Sequence, residues 1–418
     1  MNRLLGFIVI TSLAVSGCAN QKAPEQLSSQ AETNVAAGKY KKALSLYNEA
    51  IQTSTKDSAL FAKRAAVETL LLDYEAALSD YNRAIELRND VAWYHSKRAR
   101  VLGELNQPGE AIVSANRALE LEPGDVQTLA YRANAYAQQG SYDRGLADAI
   151  QAKHGGDLVY TYRVLGTCYV HLGKPDEAID CLQKAINLNP KDQSLFCLKS
   201  EAEMLKLDLK QAVFTASRAR EMNPKAMEPY SCLARAYLLS GDYTQARENI
   251  DRVLQQSPID GRALLTVYHM STNELDRALE SALAVVKERP SAASQETLSE
   301  VYTLMGRGEE ALEICEGLVT EYPKSSEAHR AKALALLGLG RNQEAKLAAS
   351  KSIDLLAYNP VAFRLRSEAC SRLGDKAAAQ ADRTMSERLG YSINLPQERI
   401  MNSLQKQLAK QHGTAKEI

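Results

Sequence analysis

A small residue returns along this chain at a nearly fixed interval. Alanine, and once glycine, stands at Ala43, Ala77, Ala111, Gly145, Ala178, Ala212, Ala246, Ala278, Ala311, Ala345 and Ala379, at spacings of 32 to 34 residues and mostly 34. Seven positions later comes a second small residue in many copies, as at Ala50, Ala84, Ala118, Ala152, Ala185 and Ala219. Five positions before come Gly38, Gly140, Gly173, Gly241, Gly306, Gly340 and Gly374, while Pro123, Pro190, Pro224, Pro258, Pro290 and Pro323 close several copies. Each sign has a physical cause. The glycine suits the positive φ at the end of one helix, the alanine lets a second helix approach the first, and the proline ends that second helix. In the copy around residue 240, Tyr230, Leu233, Ala234 and Tyr237 follow i, i+3, i+4, i+7, and Tyr243, Ala246, Ile250 and Val253 repeat the pattern past Gly241. Both halves therefore read as amphipathic helices.

On these residues the units resemble tetratricopeptide repeats, helix-turn-helix modules of 34 residues. The stretch Met227 to Asp260 carries the fullest set, and the resemblance runs from about residue 24 to 390. It implies an all-α fold, a right-handed superhelical solenoid of about eleven hairpins over 30–390. Stacking is required because a single hairpin cannot bury its own apolar face. Two copies depart from the pattern. The sixth has Leu207 and Leu209 where Gly and Tyr are expected, and the eighth is two residues short, with Ser271-Thr272-Asn273 at its turn. Irregular stacking or a bend is the expectation at both. Ile400, Met401, Leu404 and Leu408 form an apolar stripe on a helix starting near Pro396, which suits a C-terminal capping helix within 391–418.

The N-terminus is of another kind. Arg3 precedes LLGFIVITSLAV, Leu4 to Val15, an uncharged run whose helix would measure roughly 18 Å, short of the about 30 Å needed to span a bilayer. A basic start, a short apolar core and small residues make a secretory signal over 1–17. Val15-Ser16-Gly17-Cys18 resembles the lipobox of bacterial lipoproteins. The resemblance implies that Cys18 is cleaved at its amino side and carries covalent lipid, palmitate among its acyl chains, and that 18–29 are lipidated cysteine and tether. Ala19, rather than aspartate, after the cysteine implies the outer membrane, facing the periplasm.

Charge and motif content narrow the function classes. With 51 basic and 51 acidic residues the chain is neutral, which argues against a general nucleic-acid binder. The six histidines are scattered, there is no HExxH, P-loop, GxSxG or strand-borne GxGxxG, and no metal or other cofactor is expected. His154-Gly155-Gly156-Asp157 falls where two copies join and reads as a turn. No enzyme is expected. Cys168, Cys181, Cys197, Cys232, Cys315 and Cys370 match no zinc spacing and read mostly as small core residues. Cys168 with Cys181, and Cys181 with Cys197, are the pairs whose places allow a meeting.

Stacked repeats present a wall of first helices to partners. The residues left over from packing on that wall are Lys63, Trp93, Lys97, Arg100, Tyr131, Asn134, Gln138, Tyr160, Arg163 and His171. Basic, aromatic and amide groups alternate there, which suits an acidic peptide or a terminal carboxylate. Trp93 reads equally as a groove residue and as the filler of a packing position. Some proteins of the resembled family grip a C-terminal carboxylate with a fixed Lys, Asn and Arg set. Ser96, Tyr131 and Tyr160 stand where that set needs Lys or Asn, so that activity is not implied. The reading is a lipid-anchored envelope scaffold or adaptor that binds other envelope proteins or peptides, in the manner of factors for secretion or pilus assembly. Its alternative is a periplasmic chaperone or secretion factor with many clients.

Overall fold

The computed structural model describes residues 23–155, 158–357 and 359–389. The described residues hold 22 α-helices and no strand, in two compact units. The first unit ends at Gln138 and contains α1 (Pro24–Ala36), α2 (Tyr40–Thr53), α3 (Ser58–Leu70), α4 (Tyr74–Leu87), α5 (Ala92–Glu104), α6 (Pro108–Leu121) and α7 (Val126–Gln138). The second begins at Gln139 and opens with α8 (Tyr142–Ala152), α9 (Leu158–His171), α10 (Pro175–Leu188), α11 (Gln193–Leu205), α12 (Leu209–Met222), α13 (Met227–Ser240) and α14 (Tyr243–Gln256). It continues through α15 (Pro258–Thr272), α16 (Leu275–Glu288), α17 (Ala292–Leu304), α18 (Gly308–Glu321), α19 (Ser326–Gly338), α20 (Asn342–Leu355), α21 (Pro360–Arg372) and α22 (Lys376–Arg388). Within the first unit α1 to α6, and within the second α9 to α22, pair as hairpins that stack, so the architecture is the all-α repeat fold expected from the ladder.

The ladder alanines fall at the fourth residue of the second helix, and those from Ala43 to Ala345 are buried to 1% exposure or less. A second ladder lies twelve residues upstream on the first helix, where the sequence pattern is less uniform: Ala31, Ala65, Ala99, Ala133, Gly166, Ser200, Ala234, Thr266, Ser299, Ala333 and Ser367, all buried. Facing small residues let the two helix axes draw together, and larger side chains such as Leu102, Leu182, Leu233 and Ile250 fill the space around them. A Cβ on Gly166 would lie 2.5 Å from Leu182, which shows how close that approach is.

Every turn from a first helix to a second helix has one residue in the left-handed region, at the place five before the ladder residue. Glycine fills it at Gly38, Gly140, Gly173, Gly241, Gly306, Gly340 and Gly374, and Leu72, Asn106, Leu207 and Asn273 fill it elsewhere, with φ of 55° to 64°. The two copies expected to be irregular therefore keep the common turn. The two missing residues of the eighth copy come out of the linker before it. Ser257 is at once the C-cap of α14 and the N-cap of α15, and its side chain accepts from the Asp260 amide. That short linker forces contact: a Cβ on Gly261 would stand 2.5 Å from the Leu254 side chain and 2.8 Å from its Cα.

The first hairpin begins earlier than the sequence reading placed it. Pro24 opens α1, and Leu27 and Ala31 are buried, so residues 24–29 belong to a helix rather than to a tether. Proline at the first helical position loses no hydrogen bond, which is why the polar stretch NQKAPEQLSS hides a helix start. The leader, Cys18 and the capping stripe at Ile400 to Leu408 lie outside the described residues. No described helix is long and apolar enough to cross a membrane.

Candidate functional site

In the first unit the first helices α3, α5 and α7 lie against one another in order. An apolar cavity of about 510 Å³ opens among α1, α3 and α5, walled by Val35, Ala66, Val67, Leu70 and Trp93. Leu70 and Trp93 are 46% and 40% exposed, large apolar side chains left without full cover. Trp93 answers both of its readings. Its ring meets Tyr81 and Tyr94 edge-on at centroid distances of 6.2 and 5.9 Å, so it is held by packing, and it also walls the cavity. Below the cavity, the Tyr47 phenol is pushed up to about 12, by burial first and then by the charge of Glu32.

Charged side chains border this cavity and continue past it. Lys63 donates to Glu32 at 2.6 Å and to the Ser28 hydroxyl at 3.3 Å, so its charge is neutralised by α1. Lys97 donates to Gln127 Oε1 at 2.8 Å and to the Tyr131 hydroxyl at 3.3 Å, both uncharged partners. Lys97 Nζ and the Arg100 guanidinium stand 5.4 and 6.0 Å from the centroid of the Tyr131 ring. Over an aromatic face, with these uncharged hydrogen-bond partners, Lys97 is stabilised without being neutralised by them. Asn134 is half-buried, its amide beside Gly103, whose carbonyl accepts from Gln138 at 2.8 Å.

Two expected groove residues are mainly supports. Tyr131 and Tyr160 are 3% and 7% exposed, because each ring lies under a basic side chain. Arg163 sits 4.8 Å from the Tyr160 ring centroid, on α9 of the second unit. The sequence reading missed Glu32, Gln127 and the cavity walls Val35 and Leu70. Spacing contained part of the signal: neighbouring first helices meet diagonally at 30 or 31 residues, as Lys63 meets Glu32, Lys97 meets Gln127 and Arg330 meets Glu300.

The second unit presents different chemistry. His171 stacks on Tyr142 at 4.3 Å with planes 7° apart. Burial lowers the His171 pKa against the opposing pull of Glu201 and Glu327, which favours the neutral ring. These rings, with Asp143, Lys324 and Glu327, border a cavity of about 1,020 Å³. Arg235 pairs with Glu201 at 2.8 Å, and Arg330 with Glu300 at 2.9 Å. Among the described residues no group of three or more His, Cys, Asp or Glu side chains is placed to hold a metal ion. His154 and Gly155 follow α8 in a turn and bend, with Gly156 and Asp157 outside the described residues.

Comparison with known proteins agrees with this geometry. Tetratricopeptide-repeat family models match residues 96–154, 159–192 and 227–250. The BBSome complex member BBS4 of Bos taurus is 32% identical over 132 residues, 30% of this chain and 25% of that protein. The protein O-mannosyl-transferase TMTC1 of Homo sapiens is 24% identical over 151 residues, 35% of this chain and 17% of that protein. The chain thus spans a quarter or less of the length of these curated relatives. Among solved structures, the APC/C hetero-tetramer Cut9-Hcn1 is similar with a TM-score of 0.51 at 13% identity, over 88% of this chain and 79% of that one, a likeness of fold. Matched stretches, ladder and hairpins together show an all-α fold of repeated helical hairpins that is similar to tetratricopeptide repeats within residues 96–250.

Proposed function

We propose that this protein is a non-catalytic scaffold that binds partner proteins through the first-helix face of its first unit. The observation that carries the reading is the apolar cavity beside Trp93, continued by Lys97, whose charge meets uncharged partners over a buried tyrosine, with Arg100 beside it on the same ring. An apolar side chain of the partner fills the cavity while carboxylates farther along the same segment reach Lys97 and the positive surface around it. Desolvated aromatic anchors and charge-assisted hydrogen bonds are the contacts that dominate such interfaces. The partner segment is accordingly acidic, with one large apolar anchor.

The leader supports a location. VSGC at 15–18 behind an uncharged apolar run supports lipid attachment at Cys18 and a place on the bacterial envelope, on the outer membrane by the Ala19 criterion. With α1 beginning at Pro24, few residues separate that lipid from the first hairpin. Each buried methylene contributes about 0.8 kcal/mol, so two or three acyl chains hold a protein firmly. The scaffold would then act on other envelope proteins, for example in assembling a secretion or pilus complex.

Trp93 is the sole tryptophan of the chain, so its fluorescence reports on the cavity without a label. An acidic peptide with a single leucine or phenylalanine anchor should shift that emission saturably, and a Lys/Arg-rich peptide of equal length should not. Reversal of charge in Lys97→Glu/Arg100→Glu should abolish the shift. Equal responses to both peptides would remove the acidic-partner reading. For the anchor, Cys18→Ala should release the protein from membranes, and firm association without acyl labelling would defeat it.

A further inference from the structure

Six cysteines lie in the described helices, all buried and all free. The two that approach each other most directly are neither of the pairs suggested by spacing but Cys197 and Cys232, on the first helices α11 and α13 of consecutive repeats. The Cys232 thiol donates to the Cys197 carbonyl at 3.8 Å. The surroundings are specific to one of the two. Arg235, one turn further along α13, brings Nη2 to 3.8 Å from Cys232 Sγ while its Nη1 donates to Glu201 at 2.8 Å. Glu201 stands one turn after Cys197 on α11, so the carboxylate, the guanidinium, the Cys232 sulfur and the Cys197 carbonyl form a bridge between the same two helices.

We propose that Cys197 and Cys232 are a reversible dithiol–disulfide pair that staples consecutive repeats of the second unit. The neighbouring Cys197 thiol and the Arg235 guanidinium, 3.8 Å from Cys232 Sγ, lower the Cys232 thiol from its ordinary value, whereas the Cys232 thiol and burial raise Cys197. Two coupled thiols release their protons as a pair, the first early and the second late. Cys232 is therefore the attacking sulfur and Cys197 the resolving one. Burial pushes Cys168, Cys181 and Cys315 up to about 12, 11 and 11, outweighing the pull of Lys184 and Lys153 on Cys181 and of Ser299 and Arg330 on Cys315.

The oxidant is a disulfide, small or protein-borne. The Cys232 thiolate attacks one of its sulfurs and forms a mixed disulfide, and the other sulfur leaves as a thiolate that takes up the Cys232 proton from solvent. Cys197 then loses its proton and attacks the Cys232 sulfur, closing the intramolecular bond and expelling the second thiolate, which binds the Cys197 proton. Two protein thiols are oxidised and one external disulfide is reduced to two thiols. Closure joins residues 35 apart in sequence, and it leaves Arg235 with Glu201 as its remaining charged partner in this bridge.

The test uses the full folded chain treated with glutathione disulfide near pH 7.5, then alkylated, digested and weighed. The expected product is a peptide pair joined through Cys197 and Cys232, with Cys168, Cys181, Cys315 and Cys370 alkylated. The thermal midpoint should rise by roughly 5 °C and return on reduction, since a cross-link across a loop of this length stabilises appreciably. Cys197→Ala should stop at a glutathione adduct on Cys232, and Cys168→Ala should link as the parent does. A stable adduct on Cys232 in the parent chain, a link through any other pair, or a folded chain that keeps all six thiols at equilibrium with excess oxidant would each overturn the assignment.

Discussion

The Ser200 hydroxyl of α11 donates to the carbonyl of Ala212 in α12 at 2.9 Å, so the two rungs of one hairpin are hydrogen-bonded as well as packed. Ser367 makes the same bond to Ala379 at 2.7 Å. Ala212 keeps its helical role without the serine, and alanine occupies the serine's rung in six other copies. Ser200→Ala should therefore cost about 1 kcal/mol or less, whereas Ser200→Leu should overpack the hairpin by about 2 kcal/mol or more. Urea midpoints of the two variants check the order.

The left-handed turn residues give a prediction of opposite sign. Leu72 and Leu207 hold φ of 64° and 61°, a conformation costly for a side chain with a Cβ. Leu72 is also 70% exposed and has little packing to lose. Leu72→Gly should stabilise by about 1 kcal/mol, read as a higher thermal midpoint. A fall would show that the Leu72 side chain contributes more than the turn costs.

Two glycines separate crowding from helix propensity. Gly261 meets Leu254 and its backbone, but an added Cβ on Gly317 in α18 meets nothing within 4 Å. Gly261→Ala should destabilise by about 2 kcal/mol. Gly317→Ala should stabilise by up to about 1 kcal/mol, the ordinary gain in a helix interior. Parallel denaturation of the two variants tests the contrast, and equal signs would defeat it.

Arg64 grips Asp80 with two hydrogen bonds at 2.5 and 2.7 Å and also reaches Asn48 at 2.8 Å, tying α3 to the helices on either side. Arg366 repeats the grip on Asp382 at 2.7 Å through both bonds. Both carboxylates are buried, so Arg64→Met should strand Asp80 at a cost of about 3 kcal/mol. Adding Asp80→Asn should recover much of that loss, and a double-mutant cycle measures the coupling.

Glu68 and Glu296 set a pH dependence. Burial is the main cause that raises each to about 7, and neighbouring carboxylates add to it. A carboxyl raised in the folded state binds protons there that the unfolded chain has released. Stability from these groups is thus full below about pH 4.5 and is lost as pH rises towards 7. Glu68, 8% exposed, should account for about 2 kcal/mol of that loss. Glu68→Gln should flatten the fall in thermal midpoint between pH 5 and 7.5, and an unchanged slope would assign the dependence elsewhere.

The second-helix ladder was legible because its residue type hardly varies: alanine at constant spacing survives any uncertainty about helix ends. Its first-helix counterpart was not, since Ala, Gly, Ser and Thr share that rung and only size unites them. At the candidate site, Lys97 and Arg100 could be placed by helical spacing alone. The depth of Tyr131 and Tyr160 could not, because one residue of rotation decides whether a ring faces a partner or lies under its own cation. The cavity was hidden for another reason. It depends on Leu70 and Trp93 staying uncovered, a property of the stack rather than of either residue.

The hairpin turns carry one more consequence, for the order in which this chain folds. Where glycine or asparagine stands at the left-handed position, the turn can form early and help bring its two helices together. At Leu72 and Leu207 a turn formed alone is uphill, so it is reached only as the rungs beside it close. The two kinds of hairpin should then respond differently to the same loss of packing. The leucine hairpins wait on their cores, and a lesion at Ala77 or Ala212 delays their closure more than one at Ala246 delays its glycine-turned neighbour.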